Sequence, residues 1–237
     1  MLGLGLGINK SVATSEEFDI SSIGGLRLWL KNDTGITEAG GAISLWRDQS
    51  SQGNDAAQTI GSRRPVLSGR NIVFDGTDDR LDLTSEFGVD EFTIAVIINP
   101  LESTPSNESI LGKGGNDFLR VHQGGQLDRV YMKANGTTMD QATLQSDLPT
   151  GTFLLVVTRA TGTTNNCKVR VNGVDISEAA RDNFDSTERL DILTIATSGG
   201  GLNPFDGYIN EVVVFSSALT GTDLANVEAD IMDRNGL

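Results

Sequence analysis

Asn172-Gly173 lies between two short runs, Cys167–Val171 and Val174–Ser177. Asn-Gly supplies both positive-φ positions of a type I′ turn, whose twist matches that of two antiparallel strands, so this stretch predicts a hairpin. The same grammar recurs along the chain. Phe92–Ile98 is an apolar run closed by Asn99-Pro100, Phe153–Arg159 is another, and Leu190–Thr197 and Asp206–Phe215 flank Gly199-Gly200-Gly201. Runs this short, bounded by Gly, Pro and Asn, predict strands rather than helices. Glycine accounts for 28 of 237 residues, enough for many tight turns.

Between these runs the pattern continues. Leu26, Leu28 and Leu30 alternate with Arg27, Trp29 and Lys31, as in a half-buried strand. Ile43–Trp46, Asn71–Asp75, Arg80–Leu83, Ser109–Gly112, Phe118–His122 and Leu127–Lys133 supply further strands. Only after Thr220 does the period change. Leu224, Val227 and Ile231 fall at i, i+3 and i+7, Thr220 is a suitable N-cap, Asp223 suits the dipole, and Asn235-Gly236 is a stop. One short helix over about Gly221–Arg234 is expected, its stripe packed on the sheets or on a partner.

Composition then removes function classes. With 18 basic against 32 acidic residues the formal charge is −14, which repels a phosphate backbone and argues against nucleic-acid binding. Arg63 and Arg64 are read as a solvated loop at a strand entry. Cys167 is the only cysteine, so no intramolecular disulfide is possible, and it is expected as a buried thiol. No apolar run approaches the ~20 residues of a membrane helix. MLGLGLGINKS lacks the basic n-region and unbroken apolar core of a secretory signal, so cytoplasmic synthesis without export is expected. A single histidine, His122, excludes a histidine-rich metal site and is read as structural. Gly112-Lys113-Gly114 fails the P-loop pattern, because Asn107 and Gly114 stand where Gly and Ser or Thr are required.

Residues 1–22 read as an N-terminal arm. Leu2, Leu4, Leu6 and Ile8 alternate with glycine or the terminus, placing four aliphatic side chains on one face of an extended segment and leaving its other face bare. Such a segment can pair within its own sheet or with a neighbouring subunit. These four residues are the candidate assembly interface.

The stretch Trp46–Leu83 orders a Trp-x-Asp-x-Ser corner (Trp46, Asp48, Ser50), a polar Gly/Asn loop, Arg64-Pro65-Val66 and the strand Asn71-Ile72-Val73-Phe74-Asp75-Gly76. Phe205-Asp206-Gly207-Tyr208-Ile209-Asn210-Glu211-Val212 and Ala218-Leu219-Thr220 lead into the helix. In this order the segments resemble the opening and closing motifs of LamG-like domains of the concanavalin A-like lectin/glucanase superfamily. The resemblance spans residues 25–237 and implies an all-β fold: a two-sheet antiparallel jelly-roll sandwich over 23–237, with the extended arm and one short C-terminal helix. Asn210 departs from the pattern, since many relatives look to carry Asp there, which puts an acidic role at that position in doubt. The opening Met-Leu-Gly-Leu-Gly looks like that of tailed-phage virion proteins, especially those of marine phages.

A glucanase of this superfamily would place Glu-x-Asp-x-x-Glu on one strand, aiming its carboxylates into one cleft. Glu17-Phe18-Asp19 continues as Ile20-Ser21-Ser22, and Glu228-Ala229-Asp230 lies on the predicted helix, so no catalytic residue is expected. Trp46 is read as a core or rim anchor, with a sugar-stacking platform as the alternative. Asp48 and Ser50 are read as a local turn. No cofactor is required. Calcium would need Asp75, Asp78, Asp79, Asn203 and Asp206 to converge, and turn chemistry is the competing reading. The resemblances imply a non-enzymatic virion structural protein, capsid-decorating or head-associated, docked to capsid or tail proteins and homo-oligomeric. A tail or fibre component, or a carbohydrate-binding LamG-like adhesion module, are the alternatives.

Overall fold

The computed structural model describes residues 18–101, 106–161, 167–177 and 188–237. Leu2, Leu4, Leu6, Ile8 and Glu17 fall outside them. In chain order the strands are β1 (Leu26–Lys31), β2 (Ile36–Ala39), β3 (Ala42–Trp46), β4 (Ala56–Ala57), β5 (Val66–Ser68), β6 (Asn71–Asp75), β7 (Leu81–Val89), β8 (Phe92–Pro100) and β9 (Glu108–Gly114). They continue as β10 (Asp117–Val121), β11 (Arg129–Ala134), β12 (Thr137–Thr143), β13 (Phe153–Arg159), β14 (Cys167–Val171), β15 (Val174–Asp175), β16 (Leu190–Ile195) and β17 (Asp206–Phe215), and α1 (Gly221–Asn235) follows.

Strand pairing builds two antiparallel sheets. One runs β15-β14-β13-β8-β17-β1. The other runs β12-β11-β10-β9-β16-β7-β4-β3-β2. At one margin β5 and β6 carry hydrogen bonding from β3 round to β17, so the sandwich is closed there. The predicted hairpin forms, with Asn172 at φ 46° and Gly173 at φ 78°.

The continuous apolar runs are explained by burial on both faces. Phe92, Ile94, Val96 and Ile98 of β8 point into the core between the sheets, whereas Ala95 and Ile97 point outward beneath α1. β13 divides in the same way, Leu155 and Val157 inward and Leu154 and Val156 outward. A strand covered on both sides cannot show polar alternation. Val227 and Ile231 of α1 complete the outer layer together with Ile20 and Phe215. Leu224 is only half-buried, so the helical stripe is narrower than its spacing predicts. Glu228, by contrast, is buried against the hairpin, where Arg170 holds it through two nitrogens at 2.7 and 3.0 Å.

The helix ends one residue later than expected. Gly236 takes a left-handed φ of 72° and its N–H bonds the carbonyls of Asp233 and Met232. Thr220 has the extended dihedrals of an N-cap, but its side chain makes no capping bond. β10 stops at Val121, and His122 leaves the strand at φ 53°. Trp46 is fully buried, its Nε1 donating to the Lys31 carbonyl, and Cys167 is buried too.

The Trp-x-Asp-x-Ser corner covers an edge. Asp48 accepts the backbone N–H groups of Trp29, Ser50 and Asn54, each at 2.9 Å, and the Ser50 hydroxyl at 2.7 Å. Gln49 N–H donates to the Trp29 carbonyl, and the Asn54 side chain donates to that of Arg27. The Trp29 N–H and the Trp29 and Arg27 carbonyls of β1 are therefore satisfied by the corner rather than offered to another strand.

Candidate functional site

The turn between β6 and β7 gathers the acidic residues singled out in the sequence. Asp75, Asp78 and Asp79 bring carboxylate oxygens within 4.8 Å of one another. Asp75 Oδ1 accepts the N–H groups of Thr77, Asp78 and Asp79 at 2.9, 3.2 and 3.3 Å, so turn chemistry is met. Asp79 Oδ2 accepts the Asp75 N–H at 3.1 Å. Burial, and then the neighbouring Asp75 charge, push the Asp79 carboxyl up from its ordinary 3.8 to about 7. Arg63 is 3.6 Å from Asp78 and supplies partial compensation.

Asp206 is the cross-strand partner of Asp75. Its side chain lies so close to Gly76 that a Cβ there would sit 2.6 Å from the Asp206 Cβ, and Gly76 has φ +69°. Asn203 is drawn elsewhere, its carbonyl accepting the Ser109 N–H. Of the five candidate cation ligands, three converge, Asp206 borders them and Asn203 stands apart. The three are hard oxygen donors of the kind calcium takes.

The other acidic candidates are engaged in structure. Asp19 caps a short turn, accepting the Ser21 N–H at 2.8 Å and its hydroxyl at 2.6 Å, and these bonds lower its pKa. Glu228 is held by Arg170 and Asp230 by Arg234. His122 is buried with Nδ1 2.6 Å from Glu108, as a structural histidine would be. Nearby, the buried Arg120 guanidinium donates to Ser109 at 2.9 Å and Ser198 at 3.1 Å, tying the loop after β16 to β9. Desolvation lowers its pKa to about 10.

Sequence reading missed Glu211. It is buried at the centre of a network, accepting from Trp29 Nε1 at 2.9 Å, Arg234 at 2.6 Å and Asn235 at 2.8 Å. The only prior signal was its place in the closing motif.

The model of the concanavalin A-like lectin/glucanases superfamily matches residues 75–225, more than half of the chain. The chain belongs to this superfamily. Solved structures of the same fold include the sialidase of Trypanosoma rangeli, at 14% identity and a TM-score of 0.55 over 87% of this chain. The chain spans only 33% of that sialidase. Domain 4 of AbnA, an extracellular arabinanase from Geobacillus stearothermophilus solved with arabinotriose, has a TM-score of 0.53 at 15% identity, covering 88% of this chain and 97% of that domain. The binding domain of botulinum neurotoxin DC, solved with SialylT, has a TM-score of 0.54 at 13% identity, covering 92% of this chain and 52% of the toxin fragment. At such identities the likeness concerns the superfamily fold. No curated protein matches the chain in sequence.

Proposed function

We propose that this chain is a non-enzymatic structural component of a virus particle, capsid-decorating or otherwise head-associated, attached through the Leu2, Leu4, Leu6 and Ile8 face of its N-terminal arm and assembled with further copies of itself. The observation that supports it most is the self-sufficiency of the sandwich. Among the described residues the sandwich closes on itself: Phe18 and Ile20 pack against its outer core, and the open side of β1 is taken by the Asp48 corner. An alternating Leu-Gly segment ahead of such a domain has the pattern that strand addition to a neighbour uses, with Leu2, Leu4, Leu6 and Ile8 filling pockets beside the edge. Four aliphatic side chains at about 1.5–3 kcal/mol each offset much of the ordering cost.

A second reading, a carbohydrate-binding adhesion module in a tail, fibre or other setting, is favoured by the arabinotriose-bound neighbour, a single domain of nearly the same extent. Under either reading Asp75, Asp78 and Asp79 would hold calcium, whose charge would offset their mutual repulsion and fix the rim turn. Mass spectrometry of purified particles with labelled microscopy tests the first reading: the protein is expected in stoichiometric amounts on the head, and its absence from particles overturns that reading. Neither reading involves turnover, so purified protein is expected to release no reducing sugar from β-glucans, galactans or alginate. Release that is abolished by changing one carboxylate contradicts this.

A further inference from the structure

β10 carries a buried cation with no carboxylate to balance it. Leu119 and Val121 point into the core, so Phe118 and Arg120 lie on the other face of the sheet. Arg120 is only 8% exposed, yet the two acceptors it bonds are the neutral hydroxyls of Ser109 and Ser198. Its guanidinium lies over the Phe118 ring, 3.6 Å from the ring centre, and Tyr131, its cross-strand neighbour on β11, packs against the same ring at 5.5 Å. The acids that flank it on β9 and β10 are committed elsewhere. Glu108 is turned to His122 at 2.6 Å, and Asp117 accepts the N–H groups of Asn135 and Asp191. Burying an ion without a partner of opposite sign is among the costlier arrangements a fold can hold. The lowered pKa of Arg120 has the same origin, since burial dominates it and no carboxylate offsets that burial.

The shape of the guanidinium shows what would complete it. The group offers five N–H donors in one plane. Ser109 takes Nε at 2.9 Å and Ser198 takes Nη2 at 3.1 Å, which fills the side-on edge. The Ser198 hydroxyl is itself fixed by donating to the Leu202 carbonyl at 3.1 Å. The end-on edge, Nη1 with the second hydrogen of Nη2, has no acceptor among the described residues, and Nη1 is not sealed from solvent. A planar acceptor with two oxygens matches that edge through two parallel N–H···O bonds. One negative charge neutralises the site, whereas a dianion leaves an excess in a chain whose formal charge is already −14. Exposure this low admits a small ligand and excludes a protein surface.

We infer that Arg120 anchors a binding site for a small monocarboxylate, seated end-on against the guanidinium. Ser109 and Ser198 hold the guanidinium in place before any ligand arrives, which lowers the ordering cost of binding. The site is built from β9, β10, β11 and the loop after β16. It shares no residue with the acidic turn or with residues 1–22, so it stands or falls separately from the proposed role in a particle.

The test is NMR titration of the isotope-labelled full chain with formate, acetate and propionate at constant ionic strength, following the Arg120 Nε–H signal, with chloride, sulfate and inorganic phosphate as comparators. At least one of the three carboxylates is expected to shift that signal saturably, at one ligand per chain, and to raise the melting temperature where chloride does not. Arg120→Lys keeps the charge but loses the planar pair of donors, and is expected to weaken binding by about tenfold or more. Arg120→Gln is expected to abolish it. Each variant is compared by its amide spectrum, and if neither folds the wild-type signal decides alone. No saturable shift at Arg120 in the wild-type chain, a shift that chloride reproduces, tighter binding of sulfate or phosphate than of any carboxylate, or binding unchanged in a folded Arg120→Lys overturns the proposal.

Discussion

The side-chain oxygen of Asn210 accepts the backbone N–H of Ile72 at 3.0 Å, joining β17 to β6 at the point where the sheet forks. Its nitrogen donates to Asn71 Oδ1 at 2.9 Å, so the position uses an acceptor and a donor together, as a neutral amide can. This accounts for asparagine where the family pattern suggested aspartate.

Asn210→Leu keeps the volume but orphans the buried Ile72 N–H. Stability is expected to fall by about 1–3 kcal/mol, read by chemical denaturation. A variant as stable as the wild type would mean that the fork is held by other contacts.

α1 provides a second comparison. Ile231 is fully buried in the outer core, so Ile231→Ala is expected to cost about 2–5 kcal/mol. Leu224→Ala, at a half-buried position, is expected to cost clearly less. Equal losses in thermal unfolding would contradict the docking of the helix described above.

Much of this architecture was legible in the residues, and the exceptions are instructive. Asn172-Gly173 announced its hairpin because the turn type depends on those residues alone. β6 has the bounds its sequence predicts, since Ile72-Val73-Phe74 is an apolar run between polar residues, with Ile72 and Phe74 facing the core. β2, β4, β5 and β12 carry no clear strand signal: these are short or polar strands whose pairing partners define them. The residue pattern extends β10 to His122, whose positive φ ends it. The acidic turn was legible as a local cluster in sequence. The Glu211 network was not, because Trp29, Glu211 and Arg234 meet only after the chain has wound through the sandwich. Glu228 looked like an ordinary helical surface residue, and only Arg170, from a hairpin far back in the chain, explains its burial.

The raised Asp79 carboxyl carries a pH signature. Below its ordinary 3.8 the group is protonated whether the chain is folded or not, and contributes nothing. Between there and about 7 the folded protein holds a proton that the unfolded chain has released, so stability falls as pH rises through this window and levels off above it. Asp79→Asn is expected to flatten that fall. Millimolar calcium is expected to raise the melting temperature at pH 7.5, to do so far less below pH 5, and to lose its effect in Asp79→Asn. A pH profile unchanged by the substitution would contradict the assignment.

The role given to residues 1–22 is tested most directly by light scattering and thermal unfolding of the intact chain beside a chain lacking Met1–Lys10. The intact protein is expected to form a defined oligomer and to co-sediment with particles. The truncated protein is expected to be monomeric and unattached, with a melting temperature nearly unchanged. A truncated chain that unfolds would assign Leu2, Leu4, Leu6 and Ile8 to the protein's own sandwich, and one that still assembles would remove them from the interface; either result contradicts the account.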